Sequence, residues 1–209
     1  MEMETLRDLY VEGLKDLYSA EKQILKALPK MQKKASHPAL KRAFAKHESQ
    51  TRMQVKRLER ICRELGESPR GKKCVGMEGL IEEAQELIAE RPEPDVLDAG
   101  LIAAAQHVEH YEMAGYGTVR TYARLLGFDE QAELLQETLN EEGAADKKLT
   151  MLSETVNVEA ETADIEEETT SRRGEREVKR SASREGRAPS GGSKRGSRPR
   201  SRASESRTR

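Results

Sequence analysis

The chain has little of what builds sheets or staples small folds. Its 209 residues include no Trp, two Phe, five Tyr and two Cys, and β-branched residues form no long run. Strands draw on aromatic and β-branched side chains, whereas Ala, Leu, Glu, Lys and Gln, which dominate here, favour helix. No segment of residues 1–155 reads as a strand. Cys62 and Cys74 form neither a zinc-ligand pattern nor a disulfide framework. Cys62 reads as a helix-packing residue, and Cys74 lies in a Gly- and Lys-rich stretch. No segment approaches the roughly 18 apolar residues of a spanning helix. The opening MEMETLRDLY has no basic region leading into an apolar one. These absences argue for a cytoplasmic protein with no membrane partner.

Charge is unevenly spread. The formal net charge is −1, but residues 171–209 hold 14 Lys or Arg against 4 Asp or Glu, leaving residues 1–170 at a net of −11. From Asn157 the apolar periodicity stops: VEAETADIEEETT is acidic, and the following Arg-, Ser- and Gly-rich stretch has Val178 as its one large apolar residue. Such composition buries too little to offset chain entropy. The expectation is a folded domain over 1–155 and a disordered tail over 156–209, acidic and then basic. A basic tail binds phosphates without sequence preference through counterion release, though this one lacks aromatic residues for stacking on bases.

Four long helices and one short one fit the folded part. The first is expected from about Glu4 to Lys34, kinked near Ala27 by Pro29. Ser36 is a candidate cap for the second, about Pro38–Leu65, which Gly66 stops. Residues 66–94 are too many for a hairpin and contain a short helix, about Met77–Ala89. This is a crossover that lets the next helix start at a chosen end of a bundle. The third long helix covers about Asp95–Leu126. Asp129 is a candidate N-cap for the last, which ends near Glu154. Gly115 and Gly117 inside the third point to close helix approach or local bending.

Acidic residues interrupt the apolar faces. Glu21 falls between Leu17 and Ile24, and Glu48 between Phe44 and Thr51. Glu109 and Glu112 share the stripe of Ile102, Ala105, Tyr116 and Val119. Glu142 falls between Thr138 and Ala145. A buried carboxylate is costly unless paired, protonated or metal-bound. Carboxylates at mid-helix on four rods suit an oxygen-rich iron or manganese site in a bundle core. Plainer readings exist: Glu21 pairing with Lys22 or Lys26, Glu48 pairing with Arg52, and solvation of either Glu141 or Glu142. Asp146, one turn beyond Glu142, is a further ligand or an acceptor behind one. His47, His107 and His110 read as surface or supporting residues, and His37 as a solvated turn residue. Tyr18, Tyr111 and Tyr116 read as core packing or as donors to carboxylates.

The segments LKDLYSAEKQILKALPKM, HVEHYEMAGYGT and LLQETLNEEGAADKKL resemble the YciF-like branch of the ferritin-like superfamily over residues 3–154. The resemblance implies an all-α, ferritin-like four-helix bundle, often dimeric and linked to bacterial stress responses. The wider superfamily carries Glu on its first and third helices and Glu-x-x-His on the second and fourth. Glu21 and Glu109 match the single glutamates, and Glu48 and Glu142 match the paired motifs. Thr51 and Ala145 stand where the histidines would be. Glu112 gives the third helix a Glu-x-x-Glu pair, as in rubrerythrin-like relatives, and Asp146 is a stand-in for a lost ligand.

The expected function is a stress-response protein with a carboxylate-bridged di-iron or di-manganese site that handles oxygen or peroxide. Glu48 and Glu142 would bridge two ions, with Glu21, Glu109 and Glu112 as terminal ligands. The rival expectation is a non-enzymatic helical scaffold whose basic residues 171–209 bind nucleic acid or another polyanion. A homodimer is the expected assembly.

Overall fold

Thr5 opens the first helix with a reciprocal cap: its hydroxyl accepts the Asp8 N–H at 3.1 Å, and the Asp8 carboxylate accepts the Thr5 N–H at 3.0 Å. The computed structural model describes residues 3–185, with side-chain surroundings for 3–162. The order is α1 (Leu6–Lys34), α2 (Pro38–Glu64), α3 (Val75–Glu90), α4 (Pro94–Leu125) and α5 (Asp129–Glu185), with no strand among the described residues. The chain divides into two units, 1–165 and 166–209. The helical body and its site lie in the first.

α1 continues through Pro29 without ending there. His37, not Ser36, caps α2, its Nδ1 accepting the Ala39 N–H at 3.3 Å. The N–H groups of Ser36 and His37 instead reach the buried Asp98 carboxylate at 2.8 and 2.5 Å, tying the α1–α2 turn to α4. Asp98 thus serves as an acceptor shared between elements, which local pattern cannot reveal. α2 and α4 end on left-handed glycines, Gly66 at φ 74° and Gly127 at φ 76°. There Glu67 N–H closes on the Cys62 carbonyl and Phe128 N–H on that of Ala123.

The crossover holds α3 against both α1 and α4. Cys74 is buried at its N-cap, and its sulfur contacts Asp16 and Tyr111. Both cysteines are free. Asp129 is the first residue of α5 rather than its cap.

Packing along α5 reaches Val156, after which Val158 is exposed. The helix nonetheless extends to Glu185, where the sequence pattern ends it near Glu154 and disorder was the expectation from 156. Its continuation needs no apolar face, because lengthening an existing helix avoids the nucleation cost and Ala, Glu, Lys and Arg are good helix formers. The expectation for residues 186–209 lies outside the described residues.

The core has two apolar ends. One joins Ile24, Leu28, Phe44, Leu101, Ile102 and Leu149. The other joins Leu14, Leu17, Leu58, Tyr116, Val119 and Leu135. Between these two sets, on each of α1, α2, α4 and α5, the chain places buried polar residues. The bundle therefore has a polar layer sealed above and below by hydrocarbon.

Candidate metal centre

Glu21 supplies this layer from α1, His47, Thr51 and Gln54 from α2, Glu109 and Glu112 from α4, and Thr138 and Glu142 from α5. All are buried. Each occupies a core-facing register position that apolar neighbours one turn away define, so the same periodicity that buries Leu and Ile buries these carboxylates.

His47, Glu109, Glu112 and Glu142 each present a ligand atom, and these atoms all lie within 4.8 Å of one another. His47 Nε2 is 3.4 Å from Glu109 Oε1, and His47 Nδ1 is 4.0 Å from Glu142 Oε2. Glu21 lies beside this group, accepting a hydrogen bond from the buried Tyr116 hydroxyl. Glu142 accepts one from the Gln54 amide, which also reaches Glu141 at 3.0 Å. Arg57 holds Glu141 in turn, at 2.7 Å, and also Glu137. An arginine-anchored chain thus fixes one side of the Glu142 carboxylate.

The other ligand atoms are not satisfied by protein. Glu21 Oε2, both His47 nitrogens, Glu109 Oε2, both Glu112 oxygens and Glu142 Oε2 are buried and have no hydrogen-bond partner among the described residues. Buried polar atoms are almost always paired, so a convergent set of unpaired carboxylate oxygens and ring nitrogens is one that could hold a cation. The residues fit a cation.

Electrostatics agree. Burial, followed by the charge of neighbouring Glu142, holds the carboxyls of Glu21 and Glu109 well above the usual carboxylate range. Burial and then Glu21 do the same to Glu112. Glu142 is pushed up to about 7, chiefly by burial. Burial lowers His47 to about 4, leaving a neutral imidazole with a free lone pair at neutral pH. Burial thus favours the protonated form of these carboxyls, and a metal ion would favour the ionised form.

Of the residues named from sequence, Glu21, Glu109, Glu112 and Glu142 share this layer. Glu48 does not. Its side chain is 21% exposed and pairs with Arg52 at 2.5 Å, leaving the place on α2 to the residue before it, His47. Asp146 also stands apart, partly exposed, accepting from Gln106 at 3.1 Å with His110 Nε2 at 3.3 Å. Tyr18, Tyr111 and Tyr116 all donate to carboxylates, those of Glu59, Asp16 and Glu21.

A family model described as a domain of unknown function, DUF892, matches residues 5–162. The chain belongs to the DUF892 family. It is 47% identical to Protein YciF of Escherichia coli K12 over 162 residues, covering 77% of this chain and 98% of that protein. The crystal structure of the E. coli stress protein YciF aligns with a TM-score of 0.72 at 46% identity, over 74% of this chain and 98% of that one. YcfI from Rhodopseudomonas palustris aligns with a TM-score of 0.69 at 44% identity, over 71% and 95%. A Xanthomonas campestris protein at 25% identity aligns with a TM-score of 0.63, over 79% and 99%. The YciF-like resemblance and the all-helical, ferritin-like bundle therefore stand for this DUF892 chain. Among its described residues no helix is long and apolar enough to cross a membrane.

Proposed function

We propose that the chain is a stress-linked metalloprotein whose bundle core binds two divalent ions, iron or manganese. One observation carries the reading: His47, Glu109, Glu112 and Glu142 each bring a ligand atom within 4.8 Å of the others, and each has buried side-chain atoms with no hydrogen-bond partner, with Glu21 alongside. Four carboxylates and a neutral imidazole balance the charge of two divalent ions. An oxygen-rich set with one imidazole suits iron and manganese among biological metals. His47, Glu109, Glu112, Glu142 and Glu21 would hold the ions, with Gln54 orienting Glu142 through one oxygen and both Glu112 oxygens free of protein partners. Such ions supply one-electron chemistry toward dioxygen or peroxide.

This chain's own residues do three things for that chemistry. The two apolar ends surround the layer with hydrocarbon. Tyr116 and the Arg57–Glu141–Gln54 chain orient Glu21 and Glu142. The depressed basicity of His47 keeps one ring nitrogen available as a ligand. The stress link comes from the relative named a stress protein, and a pairing of two copies from the family resemblance.

Metal analysis of protein purified without chelator, then reconstituted with Fe(II) or Mn(II), tests the reading. Close to two ions per chain is the expected result. Failure to retain any stoichiometric metal would overturn it.

Nucleic-acid binding through residues 171–209 is a separate proposal resting on their charge. Salt-sensitive DNA retention by the full chain, lost when the basic residues of 171–209 are replaced by Gln, supports it. Equal retention by both counts against it.

A further inference from the structure

A cavity of about 410 Å³ runs into the bundle beside the metal layer. Its walls include Leu28, Phe44, Ile81 and Leu149, from four different helices, and His47 and Glu109 form part of its lining. The volume is in the range of sites for small organic ligands, roughly 300–1,000 Å³. The charge pattern is unusual for this chain. Lys30, Lys33, Lys34, Lys46 and Lys148 line it, and Glu109 is the one carboxylate that does. All five lysines are exposed, so they stand where the cavity meets solvent. None pairs with a carboxylate among the described residues, although residues 1–170 carry a net charge of −11. An acidic body thus concentrates unpaired cations around one apolar opening. Lysine stems also extend hydrocarbon along such a rim while keeping the ammonium wet.

We propose that this cavity is a binding site for a single-chain carboxylate amphiphile of the fatty-acid class. Its anionic head sits among the rim lysines, and its hydrocarbon chain lies along Leu28, Phe44 and Leu149 toward the metal layer. Charge selects against cationic and neutral amphiphiles, and the apolar walls select against short carboxylates. The site does not depend on metal occupancy, because its selecting residues are the lysines and the hydrocarbon wall.

Calorimetric titration of the full chain with dodecanoate and dodecyltrimethylammonium below their micellar concentrations, dodecanol below its solubility limit, and acetate tests the site. Dodecanoate is expected to bind saturably at one per chain, with dodecanol at least about tenfold weaker and the other two showing no saturable binding. The double variant Lys34→Glu/Lys148→Glu is expected to weaken dodecanoate by about tenfold, while Lys56→Glu, an exposed lysine away from the cavity, changes nothing. Metal content in both variants is expected to match the parent, which separates this site from the metal reading. Absence of saturable dodecanoate binding overturns the proposal, whether a second copy covers the opening or not. Equal binding of the cationic amphiphile, or no effect of the double reversal, also overturns it.

Discussion

His47 Nε2 lies 3.4 Å from Glu109 Oε1, joining α2 to α4 across the centre of the bundle with both side chains almost wholly buried. Burial lowers His47 to about 4 and raises the Glu109 carboxyl, so in both groups it favours the neutral form over an ion pair. A pair of neutral ligands in hydrocarbon is a poor source of stability by itself. A bound cation would favour the ionised carboxylate of Glu109 and could take the His47 lone pair.

Replacing His47 therefore separates ligand from neighbour. His47→Ala is expected to lower metal affinity by at least about tenfold, since even residues that only support metal ligands cost about 10–100-fold when changed. Glu48→Ala, which removes a surface partner of Arg52, is expected to leave affinity unchanged. Competitive titration against a chromogenic chelator reads both. An effect of Glu48→Ala as large as that of His47→Ala would refute the assignment.

The metal-free protein should lose stability as the medium becomes more basic. The Glu142 carboxyl, near 7 when folded, lies above its ordinary 4.5, and Glu21, Glu109 and Glu112 are raised well above it too. Groups raised on folding contribute most below their unfolded value and lose that contribution as pH rises through the folded one. His47 runs the other way: depressed to about 4 from 6.5, its contribution is present above 6.5 and lost as pH falls through about 4. Above about 6.5 the carboxyls lose their contribution, and toward 8.5 the buried Cys62 and Cys74 thiols, also raised by burial, act in the same direction, so the Tm of chelator-treated protein is expected to fall from pH 6.5 to 8.5. Metal-loaded protein should show a flatter profile, its carboxylates being held ionised by the cation. A rising metal-free profile, or parallel slopes, would contradict the assignment.

The fold was legible because its signals are local and redundant. Long apolar stripes, Gly66 and Gly127 at helix ends, and a 66–94 connection too long for a hairpin all point one way. Glu21, Glu109, Glu112 and Glu142 were legible for the same reason, each lying within a stripe. Glu48 was a register ambiguity. At about 100° per residue, the stripe from Leu40 to Leu65 has its centre roughly 40° from His47 and 60° from Glu48, too close to separate them. Gln54 and Ile61 are also buried. Counting them in place of Leu65 shifts the centre to roughly 30° from His47 and 70° from Glu48. Gln54, as a polar residue, adds nothing to an apolar stripe, yet it is buried with its amide donating to Glu142. The outer chain through Arg57, and the acceptor role of Asp98, join residues distant in sequence and leave no periodic trace.

That outer chain has its own consequence. Gln54→Leu keeps the size of the side chain and removes the donor to Glu142. Metal affinity is expected to fall by about 10–100-fold. Stability of the metal-free protein should change less, because at neutral pH the Glu142 carboxyl is in part protonated and needs less from its donor. Measuring affinity and urea midpoint on the same preparations separates the two. An unchanged affinity with a large loss of midpoint would make Gln54 a packing residue only.

Two glycines two residues apart on α4 should respond oppositely to the same change. A Cβ on Gly115 would stand 2.7 Å from Leu17 Cδ2, whereas one on Gly117 meets nothing within 4 Å. Both lie in regular helix, where Ala is favoured over Gly by about 1 kcal/mol. Gly117→Ala is expected to gain most of that. Gly115→Ala has the same propensity gain, but Leu17 is 2% exposed and belongs to the apolar end next to the buried polar layer. Displacing it costs about 1–3 kcal/mol by overpacking, so the net is a loss. The displacement also lies one turn from Glu21 on α1 and one turn from Glu112 on α4, which couples it to the site. Gly115→Ala should thus lower both the urea midpoint and metal affinity, and Gly117→Ala should raise the midpoint and leave affinity alone. Equal stabilisation by the two substitutions would mean that α1 and α4 do not approach as closely at Gly115 as the packing requires.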